Sequence, residues 1–279
     1  MERLHIRNPF AGAVCLLAKS LGSTQDEARS LAGPSFPPGS LIAAEEQTAG
    51  RGRFPERRWE SPAGLNLLFT VRLGPEAFRP GSSVPLPGLP LRIGAALCAA
   101  VLRAERLSGA AFPSPPRLKW PNDLLIGERK AAGILCEAGG PGLLVGVGIN
   151  CNQRAFPPAL ARSATSLALE LRREIDRWRL LEDFLEELSS ELAEEAGQSW
   201  RERVEALLWR RGEEAAFYPG LEAPGATGEA GPAAGPLAGR VEGVDAEGSL
   251  LFLAEGEARP RSFASGELAN QLTARPSAL

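Results

Sequence analysis

Apolar residues in this chain fall into short runs punctuated by turn residues, with two stretches at helical spacing. Leu41-Ile42-Ala43-Ala44 is closed by Glu45-Glu46 and has the length of a buried strand. Residues 66–73 form a longer strand candidate. From 119 to 150, apolar segments around Lys119 and at 124–126, 132–137 and 143–150 are parted by Pro121-Asn122-Asp123, Gly127-Glu128 and Gly139-Gly140-Pro141-Gly142. Those separators are turn formers, so the region reads as a meander of short strands. Residues 91–107 are rich in Ala and Leu, with Pro90 at the first turn, where a missing N–H is harmless. Leu180, Leu181, Phe184, Leu185, Leu188 and Leu192 mark an amphipathic helix, with Glu182, Glu186, Glu187 and Glu191 expected on its solvent face. A shorter helix follows over 200–209. Ser23-Thr24, ahead of acidic and alanine residues, reads as an N-cap and helix start.

Residues 220–235 are Gly, Ala and Pro without periodicity and read as a linker, with a domain boundary near Arg211. The chain therefore divides into 1–211 and 212–279. Strands interleaved with helices in the first part predict an α+β fold, a mixed or antiparallel sheet with helices on one face. Short strands at 239–245, 250–253 and 263–267, with Gly at their turns, predict a small β-barrel at the C-terminus.

Composition narrows the chemistry. A net charge of −3 gives no overall basic field, so neither nucleic acid nor membrane is an expected partner. No apolar run approaches the ~18 residues that span a bilayer, and residues 1–10 lack the apolar core of a secretory leader, which points to the cytoplasm. His5 is the single histidine, which removes Ser-His-Asp and Cys-His mechanisms and nearly all zinc chemistry. Cys15, Cys98, Cys136 and Cys151 are far apart inside apolar runs and read as small buried hydrophobes.

The stretch Gln47 to Trp59 alternates Gly50 and Gly52 with Arg51 and Arg53, and places Arg57-Arg58 before the tryptophan. Glycine allows close backbone approach to a ligand, arginine matches phosphate or carboxylate oxygens, and Trp59 offers a face for a planar ring. Its ordinary reading is a solvated Arg-rich turn. A second signal is the lysine usage. The chain holds Lys19, Lys119 and Lys130 against twenty-eight arginines, three of the 31 basic residues. An ammonium retained in so arginine-rich a chain does something a guanidinium cannot, being a compact point charge. That marks Lys130, and with it Lys119, for chemistry. Asp123 reads either as a catalytic or metal-contacting carboxylate or as an Asx turn after Pro121.

Taken in order, Ser23-Thr24-Gln25-Asp26-Glu27-Ala28, the GRGR run with its Trp59, Lys119-Trp120-Pro121-Asn122-Asp123, Arg129-Lys130-Ala131-Ala132-Gly133-Ile134-Leu135 and the run GVGINCN over 146–152 resemble the signature motifs of biotin protein ligases. The match runs from about residue 21 to 167, with a weaker likeness around Ser265-Gly266-Glu267. The resemblance implies a core related to class II aminoacyl-tRNA synthetases and an SH3-like C-terminal domain. It implies condensation of biotin with ATP to biotinyl-5′-adenylate, then transfer of biotin to a lysine of a biotin carboxyl carrier domain, with Mg²⁺ accompanying ATP. By the same resemblance Ser23, Thr24, Gln25 and Gln47 meet the biotin ring system. Gly50, Arg51, Gly52, Arg53 and Gly133 complete that site. Arg53, Trp59, Asn122, Asp123 and Asn150 belong with ATP, and Lys130 bridges the biotin carboxylate and the α-phosphate. Lys130, Arg53 and Asp123 are then the catalytic groups. The chain departs from the family in having Gln25 where Asn is usual. Its Gly/Arg loop is also one residue longer and lacks the third glycine. The chain leaves no room for a DNA-binding module before residue 23, so the expectation is a short form, and members often dimerise through the sheet. A lipoate-type ligase and a non-catalytic biotin or nucleotide sensor are the competing readings.

Overall fold

The computed structural model describes residues 1–53, 58–79, 81–139, 142–193, 199–220 and 236–269. Loop residues 54–57, the Gly140-Pro141 half of the expected turn and residues 221–235 of the expected linker lie outside the described residues.

The chain opens with β1 (Glu2–Arg3), β2 (Cys15–Ala18), α1 (Thr24–Leu31), β3 (Leu41–Ala44), β4 (Leu67–Leu73) and α2 (Leu89–Ser108). The meander follows as β5 (Pro116–Lys119), β6 (Asp123–Ile126), β7 (Arg129–Ala138) and β8 (Leu143–Ile149). These strands form one eight-stranded sheet in the order β1-β2-β3-β4-β8-β7-β6-β5. The β2–β3 pair is parallel and the remaining pairs are antiparallel, so the sheet is mixed. β7 starts earlier than its apolar pattern suggests, because Gly127 at φ 59° completes the turn and releases Arg129 and Lys130 into the strand.

Alternation along β8 shows how the two faces differ. Leu143, Val145, Val147 and Ile149 point into the main core, while Leu144 joins a small cluster with Ala28, Phe36 and Ile42. Gly146 and Gly148 share the second face with Leu144 and leave bare backbone there. α3 (Leu167–Leu171), α4 (Arg177–Ala193) and α5 (Ser199–Leu207) follow β8. α2 and α4 pack on each other over the main core and are the helices expected on one face; α1 adds a short layer on the other. The leucine stripe of α4 is fully buried, each side chain contributing roughly 1.5–3 kcal/mol relative to exposure. Glu191 does not sit on the solvent face with its neighbours. It is buried and accepts from Arg92 Nε of α2 at 2.8 Å, because its turn of α4 faces α2.

The second sheet contains β9 (Glu214–Pro219), β10 (Leu237–Val244), β11 (Leu250–Ala254), β12 (Arg261–Phe263) and β13 (Gly266–Leu268), ordered β12-β11-β10-β9-β13. Residues 263–267 are thus two strands rather than the single one their pattern suggests. β12 and β13 lie at opposite edges, yet only Ala264 and Ser265 join them. From Phe263 to Gly266 the chain makes three Cα–Cα steps and spans at most ~11 Å, so the sheet must curl to bring its two edges together. Phe217, Phe252 and Phe263 fill the curl, with the 217–263 ring centroids 4.8 Å apart. Among the described residues no helix is long and apolar enough to cross a membrane. All four cysteines are free, and burial pushes the Cys98 and Cys151 thiols up to about 12.

Candidate active site

An 850 Å³ cavity lies on the glycine-bearing face of the large sheet. Its floor is the strip Gly133 of β7 and Gly146 and Gly148 of β8, where Gly133 and Gly148 are paired across strands. A Cβ would stand 2.7 Å from Gln25 Oε1 at position 146, and 2.5 Å from the Trp59 ring at position 148. Glycine here is therefore a matter of space above the sheet.

At one end α1 delivers a compact hydroxyl and amide cluster. Ser23 caps α1 by accepting from Gln25 N at 3.2 Å, which turns Thr24 and Gln25 inward. Gln47 Oε1 accepts from Thr24 N at 2.7 Å and from Thr24 Oγ1 at 3.0 Å. Gln25 Nε2 donates to Leu135 O and Leu144 O at 3.3 and 3.2 Å, which fixes its Oε1 toward Thr70. Thr70 Oγ1 stands 2.9 Å from Thr24 Oγ1 and 3.0 Å from Gln25 Oε1. It has one proton for two acceptors. Thr24 carries a second hydroxyl proton, so the cluster satisfies itself internally, and its oxygens line the cavity as acceptors for an N–H. The extra methylene of Gln25 is what lets it reach both strand carbonyls.

Two residues along β8, roughly 7 Å away, the chemistry changes. Lys130 Nζ pairs with Asp123 Oδ1 at 2.7 Å and lies 5.5 Å from the Trp59 ring. Its backbone is clamped by Lys130 N to Ser163 O at 2.8 Å and Thr165 N to Lys130 O at 2.9 Å. Asn122 Nδ2 donates to Ile134 O at 2.7 Å, and Asn150 Nδ2 to Thr165 O at 3.0 Å, so both amides brace the walls. The Trp59 indole nitrogen is buried without an acceptor among the described residues.

The Gly/Arg loop forms the remaining wall. Trp59 N donates to Gly50 O at 3.0 Å, and a Cβ on Gly50 would meet Trp59 O at 2.4 Å, so this glycine permits the loop to fold on itself. Arg51 pairs with Glu137, and Arg53 donates to Gly266 O of β13 at 2.8 Å. Glu267 also lines the cavity, so the second sheet completes its rim.

The fold brings Ser23, Thr24, Gln25, Gln47, Arg51, Gly52 and Arg53 to the cavity, together with Trp59, Asn122, Asp123, Lys130, Gly133 and Asn150. Gly50 stands behind the wall. Sequence reasoning missed Thr70, a single hydroxyl in an apolar strand, and the wall built by Phe156, Pro157 and Leu160 from an irregular segment. Gly146 and Gly148 carried a usable signal, glycine on alternate positions of a strand. Among the described residues no group of three or more His, Cys, Asp or Glu could hold a metal ion.

The fold and site define a mixed-sheet domain whose cavity offers hydroxyl and amide oxygens at one end and the Lys130 ammonium at the other. Residues 17–153 match the biotin/lipoate A/B protein ligase family, and this segment of the chain belongs to it. It is 33% identical to the bifunctional ligase/repressor BirA of Bacillus subtilis (strain 168) over 190 residues, 66% of this chain and 55% of that one. It is 33% identical to the biotin–[acetyl-CoA-carboxylase] ligase of Mycobacterium tuberculosis over 158 residues, 55% of this chain and 54% of that one. The match thus spans about half the length of these curated relatives. Among solved structures, the biotin protein ligase from Aquifex aeolicus in complex with biotin and ATP superposes with a TM-score of 0.72 at 29% identity, covering 91% of this chain and 97% of that one.

Proposed function

We propose that the chain activates biotin with ATP to biotinyl-5′-AMP and transfers the biotin to a specific lysine of a biotin carboxyl carrier domain. The observation that carries this reading is the cluster of acceptor oxygens that Thr24, Gln25 and Thr70 place at one end of the cavity. A ureido ring supplies N–H groups to such a cluster, whereas the dithiolane of lipoate supplies none. Covering these acceptors with an apolar ring removes their water without supplying a donor, at a cost of about 1–3 kcal/mol, which disfavours the lipoate reading.

In the first step a biotin carboxylate oxygen attacks the α-phosphorus and pyrophosphate leaves. Two anions must approach, so the Lys130 ammonium, with Arg53 and the loop amides, offsets their repulsion in a partly water-excluded cavity. Asp123, paired with Lys130, holds that ammonium in place. Mg²⁺ accompanying ATP would supply further positive charge against the phosphates, with Asp123 as the cavity carboxylate that could contact it. Trp59 provides a ring face and an N–H without an acceptor, both suited to the nucleotide end, and Asn122 and Asn150 brace it. In the second step the carrier lysine amine attacks the acyl carbon, AMP leaves, and an amide forms.

In this reading residues 1–211 carry the chemistry, and residues 212–279 contribute an SH3-like sheet that closes the rim through Gly266 and Glu267. ATP consumption fits a cytoplasmic setting. The test is to incubate the protein with MgATP and a purified biotin carboxyl carrier domain, adding biotin or lipoate, and to follow carrier mass. A biotin adduct on the carrier lysine is expected. A lipoyl adduct with no biotin adduct would contradict the reading.

A further inference from the structure

Trp120 stands between the two sheets. It is 2% exposed, lines the cavity, and precedes the Pro121–Asp123 turn that presents Asp123 to Lys130. Its contacts on the other side belong to the second sheet. The indole Nε1 donates to Gly248 O at 3.1 Å, and the ring meets Phe217 edge-on with centroids 6.1 Å apart.

Gly248 is itself held from several directions. It lies in the β10–β11 turn at φ 87°, and a Cβ there would be 2.4 Å from Gly88 Cα. Gly88, at the start of α2, donates its N–H to Glu247 O at 2.9 Å. Within the turn the Asp245 carboxylate accepts from Glu247 N and Ser249 N, both at 2.9 Å, and from the Ser262 hydroxyl. The turn is thus a wedge against the N-terminus of α2, with one carbonyl aimed at Trp120.

We infer that the β10–β11 turn, acting through the Trp120 indole, positions the Pro121–Asp123 turn so that Asp123 meets Lys130. Trp120 is then a positioning residue for adenylation, and the second sheet sets the rate of the first chemical step without touching biotin. This role rests on the ligase reading proposed above. The hydrogen bonds of the hydroxyl and amide cluster run among Thr24, Gln25, Gln47, Thr70 and two strand carbonyls and do not involve Trp120, so biotin binding should be independent of it.

Trp120→Phe keeps the apolar ring and removes the N–H. One lost hydrogen bond at a positioning contact is expected to lower kcat for biotin-dependent pyrophosphate release about fivefold to tenfold, with the biotin KM within twofold of wild type. Gly248→Ala, which must shift the turn off Gly88, should lower kcat in the same way. The double variant should be no slower than the worse single variant, because both act on one contact. A role limited to packing would lower thermal stability and leave kcat alone. Trp120→Phe at wild-type kcat, or a loss appearing in biotin KM instead, would overturn the inference. Should Gly248→Ala fail to fold, Trp120→Phe alone decides. Wild type inactive with biotin would remove the ligase reading and this role together, whereas active wild type with unaffected variants removes only this role.

Discussion

Replacing Lys130 by Arg tests the site where its geometry is tightest. Lys130 Nζ is 2.7 Å from Asp123 Oδ1 and 5.5 Å from the Trp59 ring centroid. A Cβ on Gly133 would come within 3.1 Å of both Lys130 Nζ and the Trp59 ring, so the ammonium and the indole share the space above that glycine with little to spare. A guanidinium keeps the charge but is planar, forked and larger. Satisfying Asp123 in that space moves the positive centre by about 1 Å, and such a misplacement of a reacting group costs ~100-fold in rate, or about 2.7 kcal/mol of barrier. The biotin head group is held at the other end of the cavity, so its affinity should fall less than tenfold. Biotin-dependent pyrophosphate release under saturating ATP reads the rate, and calorimetric titration with biotin reads the affinity. Lys19→Arg, on an exposed residue, is the silent control. Turnover by Lys130→Arg within threefold of wild type would mean that Lys130 merely screens charge, and the argument from its retention would fail.

Three further outcomes are expected. Gly148→Ala puts a methyl group 2.5 Å from the Trp59 ring; with about 1–3 kcal/mol of overpacking strain on that seat, the ATP KM should rise roughly tenfold, and an unchanged ATP KM would place the nucleotide elsewhere. Gln25→Asn is too short to reach both Leu135 O and Leu144 O, so stability in urea should drop by about 1–3 kcal/mol; an unchanged midpoint would show that this tether is dispensable. For Asp245, burial pushes the carboxyl up, but hydrogen bonds from Ser262, Ser249 and Glu247 outweigh it and hold it below the usual range. Its stabilisation is therefore present above the ordinary carboxylate pKa and fades as pH falls through the lowered one, so Asp245→Asn should lose about 1 kcal/mol at pH 7 and progressively less in acid, as urea melts across pH would reveal. An equal loss at every pH would contradict that assignment.

How much of this was legible depended on whether the signal was local. β6 and β8 follow directly from apolar runs between turn formers, and Lys130 stood out because lysine is so scarce. α1 was legible only as a helix start, since the face it buries is Thr24 and Gln25 rather than an apolar stripe. Its place on the far side of the sheet comes from Gln25 reaching two strand carbonyls, a tertiary contact with no periodicity. Glu191 looks like a solvent-face glutamate until α2 supplies Arg92. Residues 263–267 look like one strand because nothing within them announces that the sheet curls and its two edges meet there. Thr70 gave no sign at all. Its meaning lies in the two acceptors around it, which come from 45 and 46 residues away. The motif resemblance supplied roles for the loop residues, but not the contact of Arg53 with β13 or the wedge behind Trp120.

The central claim is that this cavity forms an adenylate from biotin. Exchange of labelled pyrophosphate into ATP reads the first half-reaction directly, without a carrier domain. The purified chain should catalyse exchange with MgATP and biotin, stay at background without biotin, and stay near background with lipoate at the same concentration. Exchange that responds to lipoate and not to biotin, or biotin binding with no exchange at all, would contradict it.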